Sequence, residues 1–308
     1  MAITHRKKMA MDNTIPSPIL SPADLDDYQL IDTGGYEKLE RFGRYVLSRP
    51  EPQAIWAKSL SDKQWRDMAD ARFERDRGSD ERGRWITREG MADRWYMDYS
   101  YGNMDMKLRL ALTSFKHVGV FPEQSANWRY IYDEVSARMS HGVPSVLNLF
   151  AYTGGASLAA CAAGAKVTHV DSVKQVVTWA RENMETSELD GIRWIVEDAR
   201  KFVSKEVRRG RTYDGIILDP PAYGRGAEGE KWVLEQDLYP LMTECRQLLA
   251  DNGFMILNLY SMGFSSLLAH SLLRQLFPKA AIDHGELYLT DNYGKSLPLS
   301  TFARFSMR

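Results

Sequence analysis

The chain changes texture near residue 115. Before it, short stretches of alternating apolar and polar residues are split by turn residues: "DYQLIDTGG", "YEKLERFG", "RYVLSRP", "PQAIWAK", "GRWITREG" and "DRWYMDYSYGNMDMKLRLAL". A period of two marks half-buried strands, so these predict a small β-rich domain over residues 21–113. Among them, "SDKQWRDMADARFERDRGSDERG" mixes both signs of charge densely and reads as a solvated loop or exposed helical insert rather than a nucleic-acid contact. Residues 1–20 are polar, punctuated by proline and aperiodic, which predicts a mobile tail.

From about Phe115 the pattern becomes helix and strand in alternation. "FPEQSANWRYIYDEVSARMS" has Pro122 as a helix starter, with Trp128, Ile131, Tyr132 and Val135 at helical spacing. Then follow strand "SVLNLFAY", helix "ASLAACAAGA", strand "VTHVD", helix "VKQVVTWARENMETS", strand "RWIVED", helix "ARKFVSKEVRRG", strand "YDGIILDPP", helix "LYPLMTECRQLLADNG" and strand "FMILNLYS". That order predicts an α/β domain with a doubly wound, mostly parallel sheet over 114–308. The last segments, "SSLLAHSLLRQL", "ELYLTDN" and "FARFSM", add a helix and two strands close enough in sequence to pair antiparallel.

Composition narrows the class. With 308 residues and 44% hydrophobic content the chain can bury one large or two unequal cores. No apolar run reaches bilayer length and the start lacks the apolar centre of a secretory signal, so a cytoplasmic protein with no membrane partner is expected. The two cysteines, Cys161 and Cys245, lack metal-ligand spacing and the six histidines are scattered, so no metal is expected. A net charge of -1 gives no global field for nucleic acid, so any such contact needs a local patch.

The chemistry gathers at strand ends. In "ILDPPAYGRG" (217–226), Pro220 ends a buried strand and leaves Asp219 at its carboxyl end, the edge where open α/β sheets bind ligands. "VLNLFAYTGGAS" turns from strand to helix through Gly154 and Gly155, which either let the backbone approach a ligand or simply make a tight connection. The adjacent glycines do not form G-x-G-x-x-G, which disfavours a hydride-transfer enzyme. Asp171 ends "VTHVD" and can accept both hydroxyls of a ribose. Asp198 ends "RWIVED" and can accept an adenine amine while Ala199 offers its amide. Each acid alone could be a helix cap, but together with Asp219 they ask for an adenosine lying across the sheet.

These residues resemble the class I S-adenosylmethionine-dependent methyltransferases. "LFAYTGGAS" with "DPPAYG" is similar to the bacterial family containing the large-subunit ribosomal RNA cytosine-C5 and guanine-N7 methyltransferases, over roughly Phe115 to the C-terminus. The resemblance implies a Rossmann-like fold, a mostly parallel seven-stranded sheet with an antiparallel C-terminal strand, beside the small N-terminal β domain. It implies S-adenosylmethionine as cofactor and RNA, ribosomal above all, as partner. The methionine part would lie at Asn148, Phe150, Tyr152, Gly154 and Gly155, the ribose at Asp171 with Ser172, and adenine at Asp198 and Ala199. Asp219 to Tyr223 would face the substrate. "FKHVGVFPEQSANW" resembles the family's lead-in, so Phe115, Phe121, Gln124 and Trp128 would close one side of the cofactor site.

Two departures shape the expected reaction. Asn148 stands where the family usually has an acid, so lower cofactor affinity is expected. Methylation at cytosine C5 needs a cysteine nucleophile, which the family carries after the fourth or fifth strand. Those places read "DPPAYG" and "NLYSMG", while Cys161 and Cys245 fall in helices as packing residues. Direct transfer onto a nitrogen, exocyclic or in a ring, is therefore the expected chemistry. Asp219 would accept an N–H, the Pro220–Pro221 corner would aim a carbonyl, and Tyr223 would stack on a base or else pack on the sheet edge. Methylation of a protein or small molecule, and a noncatalytic binding factor that keeps the fold, are the rival readings. The oligomeric state is open.

Overall fold

A computed structural model describes residues 19–21, 25–78, 82–226, 228–260 and 264–307. Most of the stretch read as a tail, 1–18, lies outside them. Its last two residues form a short strand, β1 (Ile19–Leu20).

The N-terminal segments build one sheet. Strands β2 (Tyr28–Gly34), β3 (Glu37–Phe42) and β4 (Tyr45–Pro50) form an antiparallel meander. Helix α1 (Asp62–Met68) then crosses over, so that β5 (Ala71–Arg75) pairs with β4 in parallel, and β6 (Gly83–Thr87) closes the sheet antiparallel to β5. In "SDKQWRDMADARFERDRGSDERG", of which residues 79–81 are not described, the exposed helical insert is present as α1, while the part from Ala71 is a paired strand rather than a solvated loop. Ser61 and Gln64 form a capping box on α1, and Trp65, 3% exposed, sends its indole N–H to Asp32 at 2.8 Å. One buried aromatic among many charges decided the fate of the segment. "PQAIWAK" is a loop rather than a strand, because its carbonyls cap the β2–β3 turn: Gly35 N donates to Trp56 O and Tyr36 N to Ala54 O.

Strands β7 (Arg94–Tyr101) and β8 (Met104–Ala111) form a long hairpin whose alternate residues, Trp95, Met97, Tyr99 and Met106 among them, are buried. That apolar face joins the N-terminal sheet to the C-terminal layers in one continuous core. A 3₁₀ turn at Pro122–Gln124 leads into α2 (Ser125–Arg138), which buries Trp128, Ile131 and Val135 at the predicted spacing.

The remainder alternates as the pattern predicts: β9 (Ser145–Leu149), α3 (Gly155–Ala162), β10 (Lys166–Asp171), α4 (Lys174–Thr186), β11 (Ile192–Val196), α5 (Ala199–Arg208) and β12 (Tyr213–Leu218). A small hairpin that the pattern did not announce follows, β13 (Tyr223–Arg225) with β14 (Lys231–Val233). Then come α6 (Leu234–Leu248), β15 (Leu249–Leu259), α7 (Ser266–Leu276), β16 (Asp283–Thr290) and β17 (Ser296–Ser306). The sheet order is β1-β16-β17-β15-β12-β9-β10-β11, with β17 antiparallel to both neighbours. The expected seven-stranded sheet is thus present, and β1 adds an eighth strand beside β16. Strand order runs one way from β9 to β11 and the other way from β12 to β17, so the switch point lies between β9 and β12. No described helix is long and apolar enough to cross a membrane.

Candidate active site

A cleft of about 1230 Å³ opens at the carboxyl ends of β9, β10 and β12, roofed by the N-terminal sheet and the segment before α2. It lies at the switch point, where an α/β sheet leaves a crevice, and is large enough for a nucleoside cofactor and part of an acceptor. Of the residues singled out from sequence, Phe115, Phe121, Phe150, Tyr152, Asp171, Ser172, Asp198, Ala199, Asp219, Pro220 and Pro221 line it.

The loop after β9 is unusual in its backbone. Phe150 and Tyr152 have φ of 55° and 48°, and Gly154 has φ of 92°. Left-handed conformations at two bulky residues cost free energy that the surroundings must offset. Here the offset is visible: Asp171 accepts from the Tyr152 amide at 2.9 Å and from the Val173 amide at 2.9 Å. Burial nevertheless raises the Asp171 carboxyl above its usual range, the amide hydrogen bonds opposing. The carboxylate therefore holds the loop and still borders the cleft. Asp198 caps α5, accepting from the Arg200 and Lys201 amides at 3.0 and 3.2 Å, and pairs with the Arg200 guanidinium. The cap reading of this acid is correct as geometry. Ala199, first residue of α5, has an amide with no partner inside the helix, since the first turn leaves its donors unpaired.

Asp219 sits half-buried after β12 and accepts from Asn258 Nδ2 at 2.9 Å. Burial pushes its carboxyl up to about 7; the Asn258 hydrogen bond opposes this and the charge of Glu123 adds to it. Beyond it the backbone is clamped. Trp232, buried on β14, donates to the Pro221 carbonyl at 2.7 Å, and the Leu234 amide donates to the Ala222 carbonyl at 3.0 Å. The carbonyl expected to point at substrate is thus taken at Pro221. Tyr223 is 51% exposed on β13 and outside the cleft lining, with Lys231 over its ring at 6.0 Å and Arg225 Nε on its hydroxyl at 3.3 Å. Its ring stands at the rim rather than packed on the sheet.

Five other residues singled out lie behind the lining. Asn148 is buried and donates to Ser157 Oγ at 2.9 Å, which in turn meets His169 Nδ1 at 3.0 Å. Gly154 and Gly155 serve packing: a Cβ on Gly155 would come within 2.6 Å of the Trp128 ring, and one on Gly154 within 3.0 Å of Ala180. Trp128 fills that gap and meets Tyr99 edge-on. Gln124 donates to the Tyr260 hydroxyl at 2.7 Å.

Several residues around the site escaped the sequence. Phe121, singled out from sequence like its neighbour Tyr152 at 5.7 Å, also meets Tyr260 at 5.3 Å and His117 at 5.1 Å, which were not. Glu123 lines the cleft although only 3% exposed. The N-terminal sheet adds Lys38 and Arg49, the latter bound to Glu40 at 2.6 Å. Trp232 lines the cleft and touches Phe150 at 4.8 Å. None of these carries a motif; each reaches the cleft through a long-range contact. Both cysteines are buried away from it. Cys161 donates to the Asp190 carbonyl, and burial raises both thiols, Cys161 to about 11.

The cleft fits a nucleoside with an amino-acid tail: a carboxylate for hydroxyls, an unpaired amide beyond it, and aromatic rings at one wall. Comparison with known proteins agrees. Residues 46–273 match the model of a family described as S-adenosylmethionine-dependent methyltransferase. A solved S-adenosylmethionine-dependent methyltransferase from Agrobacterium tumefaciens is 38% identical with a TM-score of 0.87, covering 96% of this chain and 94% of that one. The ribosomal RNA large subunit methyltransferase K/L of Shewanella frigidimarina is 30% identical over 154 residues, 49% of this chain. The match spans only 20% of that longer relative. Trm5b from Pyrococcus abyssi shares the fold at 12% identity, with a TM-score of 0.51 over 92% of this chain and 76% of that one. On the family match and the full-length Agrobacterium likeness, the chain belongs to the S-adenosylmethionine-dependent methyltransferases.

Proposed function

We propose that the protein methylates a nitrogen of a base in RNA, with ribosomal RNA as substrate, by direct transfer without a cysteine nucleophile. The observation that carries this reading is Asp219, a carboxyl of raised pKa opening into a cleft that neither cysteine lines. Such a group can accept an N–H and take up the proton released as the nitrogen gains carbon. Bound S-adenosylmethionine supplies a methyl already activated on sulfur, so the protein's task is to hold and aim the acceptor.

In this reading Asp171 and Ser172 receive the ribose, and Ala199 with the cap Asp198 receives the adenine edge. The Phe150–Gly154 loop carries the methionine part, and Phe115 and Phe121 form the facing wall. Asn148, Gly154, Gly155, Trp128 and Gln124 act by fixing that loop and wall from behind. Pro220 and Pro221 set Asp219 at the strand end. Tyr223, exposed between Arg225 and Lys231, offers a ring and charge to a base and its phosphate. Support for RNA comes from the name of the Shewanella relative, a ribosomal RNA methyltransferase, and from Arg94, Lys116 and Arg225 at the cleft. A cytoplasmic location belongs to the same proposed reading.

Transfer of labelled methyl to ribosomal subunits, protein-free ribosomal RNA and total protein tests the reading. Label on a nitrogen of an RNA nucleoside is expected. Label confined to protein, or to carbon 5 of a pyrimidine, contradicts it.

A further inference from the structure

We infer that Glu123 and Asp219 together form a two-carboxyl acceptor pocket that takes a group rich in N–H donors, such as an amine or the amino edge of a base. The inference deepens the function proposed above and rests on its cofactor placement.

Glu123 is the most unusual polar residue of the cleft. It sits in the 3₁₀ turn before α2, is 3% exposed, and lines the same cavity as Asp219. Among the described residues no other residue hydrogen-bonds its carboxylate; only its own backbone amide does. A carboxyl so deeply buried normally has further donors on it, and one held only by its own amide beside a cavity marks a place for a donor from outside.

The charges of both carboxyls reach Tyr260. Its hydroxyl accepts from Gln124, next to Glu123 in the chain, and the charges of both Glu123 and Asp219 raise it along with burial. Burial raises the Glu123 carboxyl above its usual range; from the N-terminal sheet Lys38 and Arg49 favour its ionised form and Glu40 opposes it. His117, wedged beside Arg49 and against Phe121, is held low, to about 3, chiefly by burial, and stays neutral. Tyr28, bound to Glu40, also feels Glu123. The charge of Glu123 adds to the burial that raises Asp219 to about 7. Two carboxyls in one cleft resist ionising together, so the charge of one raises the pH at which the other ionises.

An arrangement with two acceptors of hydrogen bonds suits a ligand with at least two N–H bonds. A ring nitrogen without hydrogen would be held through donors elsewhere on the same base, not through the reacting atom.

The probe is sinefungin, in which a carbon bearing an amine replaces the sulfur and methyl of S-adenosylmethionine, compared with S-adenosylhomocysteine, which lacks that amine. Calorimetry on the full chain between pH 6 and 8 gives both affinities. The wild type is expected to prefer sinefungin by roughly tenfold at pH 8, with the preference shrinking as pH falls through about 7. Glu123→Gln should reduce the preference at pH 8 by at least about fivefold and move its pH midpoint downward, with S-adenosylhomocysteine affinity kept. An unchanged preference and midpoint in Glu123→Gln would overturn the pairing. If that variant does not fold, Asp219→Asn carries the test: its preference must lose the pH step, and a surviving step refutes the pocket. Wild-type protein that binds neither compound would instead remove the cofactor placement, an outcome visible in the S-adenosylhomocysteine titration alone.

Discussion

Trp232 donates its indole N–H to the carbonyl of Pro221 at 2.7 Å, so the hairpin that follows the Asp-Pro-Pro corner also locks it. The Leu234 amide adds a second tie at Ala222. Removing one buried hydrogen bond while keeping a ring costs about 1 kcal/mol of stability. Trp232→Phe should lose about that much in a denaturant titration. It should also slow methyl transfer by roughly tenfold, because a small displacement of a positioned acceptor is costly in the transition state. Unaltered single-turnover rates would show that the corner needs no clamp.

Asp171 carries two loads, and its variants should separate them. It holds the left-handed loop through the Tyr152 and Val173 amides, and in the proposed reading it receives the ribose. Asp171→Ala should weaken S-adenosylhomocysteine binding by at least about tenfold, since charge-assisted hydrogen bonds contribute about 1.5–3 kcal/mol each. Equal affinity for variant and wild type in calorimetry would remove the ribose assignment.

A cysteine-free chain should still work. Cys161 and Cys245 are buried with raised thiols, the opposite of what a nucleophile requires. Cys161→Ala with Cys245→Ala should keep the methylation rate within about tenfold of wild type once folding is checked, whereas loss of a nucleophile costs far more. A covalent adduct trapped with 5-fluorocytosine RNA would overturn direct transfer.

Asp219 also predicts a pH dependence of stability. Its folded value of about 7 lies above the ordinary carboxyl range near ~3.9. Between those values the folded protein holds a proton that the unfolded chain has released, so stability from this group is present at low pH and falls as pH rises toward 7. Asp219→Asn should therefore stabilise the cofactor-free protein above pH 7, by at least about 1 kcal/mol, and have little effect near pH 4. Chemical denaturation at the two pH values checks the sign.

The alternation from Ser145 to Leu259 was legible because each strand is a short apolar run and each helix has an apolar stripe. The three acids were legible because they end those strands. Asn148 was misleading: its place in the motif suggested the cofactor, yet its side chain turns to Ser157 and His169. Gly154 and Gly155 read either as ligand-approach positions or as a tight connection, and the space they leave is filled by Trp128 and Ala180. Strands β13 and β14 are three residues each, too short for any period to show. Trp65 was hidden by the charges around it, and Glu123 by the lack of any local sign that a turn before α2 would line the same cleft as Asp219. Those placements depend on contacts across the chain, which no local pattern encodes.

The most direct test of the account is the single-turnover rate of methyl transfer to ribosomal RNA for wild type and Asp219→Asn between pH 6 and 8. If Asp219 must be ionised to accept the acceptor's proton, the wild-type rate rises through a midpoint near 7, the value to which burial raises this carboxyl. Asp219→Asn should then be slower by at least about a hundredfold at pH 8, without the pH step, and with S-adenosylhomocysteine affinity unchanged. A variant that transfers methyl at the wild-type rate across this range would contradict the account.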